Sequence, residues 1–134
     1  DVAFGSYNDA WGGGTELDTD PWLTSDVGVR MRYYADPLCT FKFTASAMGD
    51  LVTLTKEANR KEWFTNMPKN IPVLLVSGQD DPVGDFSDGV EKVHSMLLKA
   101  GVKPEMKIYE NARHEILNDI SYENVLRDIL QFCK

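Results

Sequence analysis

Apolar and polar positions follow a regular rhythm only in the second half of the chain. The run Val73-Leu74-Leu75-Val76 is continuously apolar and predicts a strand over 73–77 buried on both faces, as in a parallel sheet. An acidic loop, 78–85, follows. Val90, Val93, His94 and Leu97 then recur at the i, i+3, i+4, i+7 spacing of a helix over about 87–100, closed by Gly101 as a C-cap. Residues 105–110 predict a second strand and 111–118 a loop. Tyr122, Val125, Leu126, Ile129, Leu130 and Cys133 form the apolar stripe of a last helix starting near residue 121, with Cys133 as a small core residue. Strand, helix, strand with a buried first strand implies a right-handed parallel crossover, so the half after residue 70 reads as α/β.

The first 40 residues carry no sustained period of 2 or 3.6. They are rich in Gly, Asp, Trp and Tyr, as in WGGGTELDTDPW and YYADPLC, and predict an irregular segment leaning on something else. A helix is predicted over 43–58, with Ala47, Leu51, Leu54 and Ala58 on one face, and a short turn follows at Trp63 and Phe64. The breaker-rich stretch NMPKNIP, 66–72, links it to the first strand.

Composition narrows the function. The chain has 134 residues, the size of one compact domain, and its 43% of apolar residues supports a core. With 14 Lys+Arg against 21 Asp+Glu the net charge is −7 and no window is basic, which excludes a footprint for nucleic acid. The longest apolar run is far short of the roughly 20 residues of a membrane span, and DVAFGSYND has neither the basic start nor the apolar core of a secretory leader. Cys39 and Cys133 form no C-x-x-C pair, so a reduced, cytoplasmic setting is expected.

The candidate chemistry sits at the two strand ends. Asp81 lies just past the first strand, where catalytic groups gather in open α/β sheets, and Pro82 biases it toward an extended pose. His114 lies in the loop after the second strand, 33 residues further on. An acid and then a histidine at the ends of successive parallel strands match the last two members of a Ser-His-Asp triad in the chain order nucleophile, acid, histidine. On this reading Asp81 and His114 are partners within about 2.6–3.2 Å. Asp80 competes with Asp81, and both acids read equally well as solvated turn residues. His94, on an apolar helix face, reads as a boundary histidine with a satisfied ring. The pattern after His114 is H-E-x-x-N and not the zincin H-E-x-x-H. The acids Asp80, Asp81, Asp85 and Asp88 lack the alternation of a calcium loop, so neither metal nor cofactor is implied. No G-x-S-x-G is present; Ser46-Ala47-Met48-Gly49 has its glycine one place too late.

The segments PVLLVSGQDDPVGDFSDGV, LLKAGV and KIYENARHEILND, with the closing V-x-x-DI-x-x-F, resemble the C-terminal part of the monoacylglycerol lipase and lysophospholipase group of α/β-hydrolases, also labelled serine aminopeptidase-like. WLTSD, YYADPLC and FKFT are similar to the cap region of the same group. The resemblance implies hydrolysis of acyl esters, such as lysophospholipids or monoacylglycerols, through a covalent acyl-enzyme. Asp81 would be the catalytic acid and His114 the base. It also implies a cap or lid-like segment over 1–65, covering an acyl-chain cleft, and a β-α-β-α part of the hydrolase domain over 66–134. The opening strands, oxyanion loop and serine of that group have no counterpart in the chain. It is therefore expected to be a fragment or subunit, inactive alone, whose partner is the missing N-terminal half of the sheet. Two other readings stand beside this one: a pseudoenzyme, and a non-catalytic α/β binding or signalling module. A receiver domain would place a Lys after the second strand, where Glu110 and Asn111 stand.

Overall fold

In the computed structural model, which describes residues 6–14 and 20–134, β1 (Leu74–Gly78) and β2 (Glu105–Tyr109) form a parallel pair with Leu74 opposite Glu105 and Gly78 opposite Tyr109. Among the described residues this two-stranded sheet is the whole β-structure. Helices α1 (Val27–Ala35), α2 (Ala45–Ala58) and α3 (Lys61–Asn66) precede it, α4 (Asp88–Lys99) connects its strands, and α5 (Tyr122–Phe132) closes the chain. This is the small α/β unit expected from the cap-plus-β-α-β-α reading of an α/β-hydrolase.

The crossover ends where Gly101 was expected to end it. Gly101 takes φ +84°, its N–H donates to the Leu98 carbonyl at 3.0 Å, and the Val102 N–H donates to the Leu97 carbonyl at 3.0 Å. This is the paired bonding of a Schellman cap, and its usual apolar contact is present because Leu97 and Val102 are both fully buried. With Phe64 they form the core, against which Val73, Leu75 and Val93 pack. Burying a side chain such as Phe64 or Leu97 stabilises the fold by about 1.5–3 kcal/mol. On the far side of the sheet Asp128 ties α5 to β2: its carboxylate accepts from Lys107 Nζ at 2.7 Å and from the Tyr109 hydroxyl at 3.1 Å.

Four expectations need correction. The stretch predicted to be wholly irregular contains α1, which starts because the Asp26 carboxylate accepts from the Val29 N–H at 3.1 Å. Part of that stretch, residues 1–5 and 15–19, lies outside the described residues. The α2 helix forms, capped by Thr44, but its apolar face is open, with Leu51, Val52 and Leu54 all exposed. Of the α5 stripe only Val125 is fully buried, while Tyr122, Leu126, Leu130 and Cys133 are exposed. β1 is half-buried along Leu74–Val76 and not covered on both faces. For α5 and β1 the reason is geometric: two strands about 4.8 Å apart are too narrow to cover a helix about 10 Å across.

Candidate active site

The acid loop and the histidine loop are joined by the sheet's hydrogen bonding as it runs past the strand ends. Gln79 N–H donates to the Tyr109 carbonyl and Asp80 N–H to the Ala112 carbonyl, each at 2.9 Å. Gly78 lets the loops approach: a Cβ there would lie 2.3 Å from the carbonyl oxygens of Ala112 and Arg113. Gly78→Ala is therefore expected to lower the urea midpoint, by about 1–3 kcal/mol of stability, because only backbone movement relieves the clash. Gly49→Ala, inside α2 with open space around the new methyl, is expected to raise it by roughly 0.5–1 kcal/mol. Equal and small effects from the two would contradict the close approach.

Asp81 is buried and points at His114. The ring Nδ1 lies 3.1 Å from each carboxylate oxygen, within the range expected of a functional pair. Because a carboxylate only accepts, Nδ1 carries the proton, which leaves Nε2 as the basic nitrogen. One Asp81 oxygen also accepts from the Val83 N–H at 2.9 Å, and the Asp81 carbonyl accepts from the Phe86 N–H at 2.9 Å. The loop thus curls around its acid, and it does so through three consecutive left-handed residues, Asp85, Phe86 and Ser87, none of them glycine. Such angles cost about 1–2 kcal/mol each for residues with a Cβ. The hydrogen bond to Asp81 raises the pKa of His114. Burial opposes it, and the charges of Asp81 and Glu115 add to the rise.

Of the competing residues, Asp80 makes its backbone bond to Ala112 and Glu115 accepts from the Asn118 side chain at 3.0 Å, while Asp81 is the residue that reaches His114. His94 sits at the helix boundary with Nε2–H donating to the Pro104 carbonyl at 3.3 Å, as expected. Ser46 lies in the first turn of α2, a position unlike the strand-to-helix elbow that exposes a nucleophile.

Three features of the site were not anticipated. Trp22 packs against His114, ring centroids 5.2 Å apart, and donates from its indole N–H to Asp20 at 3.2 Å. It also lines a cavity of about 440 Å³ together with Leu23, Tyr33, Leu38, Phe41 and Phe43. Arg113 stacks over the Trp11 ring at 4.5 Å and donates to the carbonyls of Pro21 and Thr24. Asp119, 1% exposed, accepts on one oxygen from the N–H groups of Ser25 at 3.1 Å and Arg113 at 2.9 Å. Its other oxygen accepts from the Ile120 N–H at 2.7 Å and from the Ser25 hydroxyl. Burial pushes the Asp119 carboxyl up, but these bonds together outweigh it and hold the group below the usual carboxylate range. The backbone joins in: Glu115 N–H donates to the Leu23 carbonyl at 2.8 Å and His114 N–H to the Trp22 carbonyl at 3.4 Å. No local signal reveals these partners, which lie about 90 residues apart.

The family model for serine aminopeptidase, S33, matches residues 11–121. Among solved structures the chain is similar to a highly thermostable carboxyl esterase from Bacillus coagulans in complex with glycerol. The identity is 25% and the TM-score 0.84 over 99% of this chain and 45% of that one. It is also similar to a lipase in an open form, at 26% identity and a TM-score of 0.81, over 96% of this chain and 42% of that one. The chain therefore spans less than half the length of these solved relatives. No curated protein matches it.

Proposed function

Because the chain belongs to the serine aminopeptidase S33 family, we propose that it supplies the acid, Asp81, and the base, His114, of a serine hydrolase that cleaves acyl esters of the lysophospholipid or monoacylglycerol type. The observation that carries this reading is the 3.1 Å contact of Nδ1 with both oxygens of a buried carboxylate. The nucleophilic serine and the oxyanion donors belong to a segment bearing the remaining strands. His114 Nε2 takes the serine proton as the hydroxyl attacks the ester carbon, and returns a proton to the leaving alcohol. Water then repeats the sequence on the acyl-enzyme. Asp81 holds the imidazole in the required tautomer and stabilises the imidazolium. Residues 1–65 act as the cap, and the apolar cavity walled by Trp22, Phe41 and Phe43 receives the acyl chain. Residues 66–134 carry the acid and the base. That the solved relatives are named an esterase and a lipase supports an ester substrate.

The test is the pH dependence of kcat/KM on a chromogenic acyl ester. The base works when neutral, and its pKa is raised, so activity is expected to fall with decreasing pH along a limb above the ordinary histidine value of about 6.5. Asp81→Asn is expected to move that limb down. The linkage to stability has the same origin. Since the folded pKa exceeds the unfolded one, the protonated pair stabilises the fold below the unfolded pKa, and this contribution is lost as pH rises through the folded value. The ring is 38% exposed, so solvent screening keeps that contribution small. A limb at or below 6.5 would refute the pairing.

A further inference from the structure

The backbone around His114 is held less by its own strand than by the segment 21–26, and the centre of that attachment is a carboxylate that takes no part in the proposed proton transfers. We propose that Asp119 is a positioning residue for His114: its buried carboxylate gathers donors from Ser25 on the cap side and Arg113 and Ile120 on the loop side, and so fixes the base against Asp81. The inference deepens the acid–base reading of the same site and rests on it.

The geometry is specific. Arg113 is the residue before His114, so the bond from its N–H to Asp119 sets the peptide from which the imidazole projects. Ser25 offers both its N–H and its hydroxyl, and it lies three residues after Trp22, whose ring packs on the His114 ring. One carboxylate therefore couples the cap segment to the base through four donors. An amide of the same size cannot replace it. If the Asn oxygen faces the N–H groups of Ser25 and Arg113, the NH₂ meets the Ile120 N–H; in the flipped orientation it meets the other two. Either way at least one N–H loses its acceptor, and the loop must shift to satisfy it.

The experiment observes the Asp81–His114 contact and not turnover. In the protein that carries this chain, labelled with ¹⁵N at histidine, the His114 signals are assigned by their loss in His114→Gln. A downfield Nδ1–H signal is expected for His114, and Asp119→Asn is expected to abolish it and to move the His114 titration midpoint down, while the His94 signals stay in place. Val125→Ala, which opens a hole under a fully buried side chain of α5, is expected to lower the melting temperature and leave both His114 readouts unchanged. Should Asp119→Asn not fold, Ser25→Ala, which removes one of the four donors, is expected to shift the His114 midpoint in the same direction by less. Wild-type His114 signals in whichever variant folds overturn the proposal, as does an equal shift in Val125→Ala. Absence of ester hydrolysis would sink the acid–base reading without touching this result.

Discussion

Asp81→Asn, in the protein that also carries the nucleophilic serine, is expected to lower kcat by about 10⁴-fold while leaving the fold intact. One Asp81 oxygen accepts from the Val83 N–H in the turn that shapes the acid loop, and an Asn oxygen can keep that bond. The amide NH₂ then faces Nδ1 of His114 and can only donate to it, which drives the ring proton to Nε2. With Nε2 protonated, the ring presents no lone pair to the serine and cannot take its proton. The loss thus comes from the tautomer and not from unfolding, and the melting temperature should stay close to that of the wild type. His94→Gln is the matched control: its ring bonds only the Pro104 carbonyl among the described contacts, a Gln amide can still donate there, and turnover should be nearly unchanged. Comparable losses in the two variants would overturn the reading of His94 as a satisfied boundary histidine, and an Asp81→Asn enzyme within tenfold of wild type would remove Asp81 from the mechanism.

The contact of Asp81 with His114 could be read from the chain because each residue rests on a local signal. An apolar strand stopping at Asp80-Asp81-Pro82, and a second stopping before His114, place the two groups on one edge once the crossover is parallel. The choice between Asp80 and Asp81 needed the loop's actual path, since the left-handed run through Asp85, Phe86 and Ser87 contradicts the ordinary preference of all three residue types. The Gly101 cap was legible for the same reason as the strands: its chemistry lies within six residues of chain. Helix faces were legible only in part. Periodicity shows which side of α2 and α5 is apolar, but not whether anything covers that side, so Leu54, Leu126 and Leu130 were expected in a core and are exposed. What holds the base was not legible at all. Ser25 and Asp119 are 94 positions apart, and neither residue type announces a buried pairing.

The chain by itself is expected to turn over no ester and to associate in solution, and both properties should change together when the strands bearing the serine are supplied. Among the described residues β1 bonds a neighbour on one side only, leaving the N–H and C=O groups of its other edge open to another strand. Exposed apolar surface is large as well: Leu54 and Ile120 are each 67% exposed and Leu130 is 63%. A partner that covers these residues gains about 1.5–3 kcal/mol for each side chain it buries fully. A two-stranded sheet is marginal in water without such cover. Sedimentation of the purified chain, with denaturing mass spectrometry of the same sample, should find self-association. Co-expression with a polypeptide carrying the missing strands and the serine should give a discrete complex with esterase activity that depends on His114. A soluble, cooperatively unfolding monomer near 15.1 kDa with no second component would sink the idea and favour a stand-alone binding module.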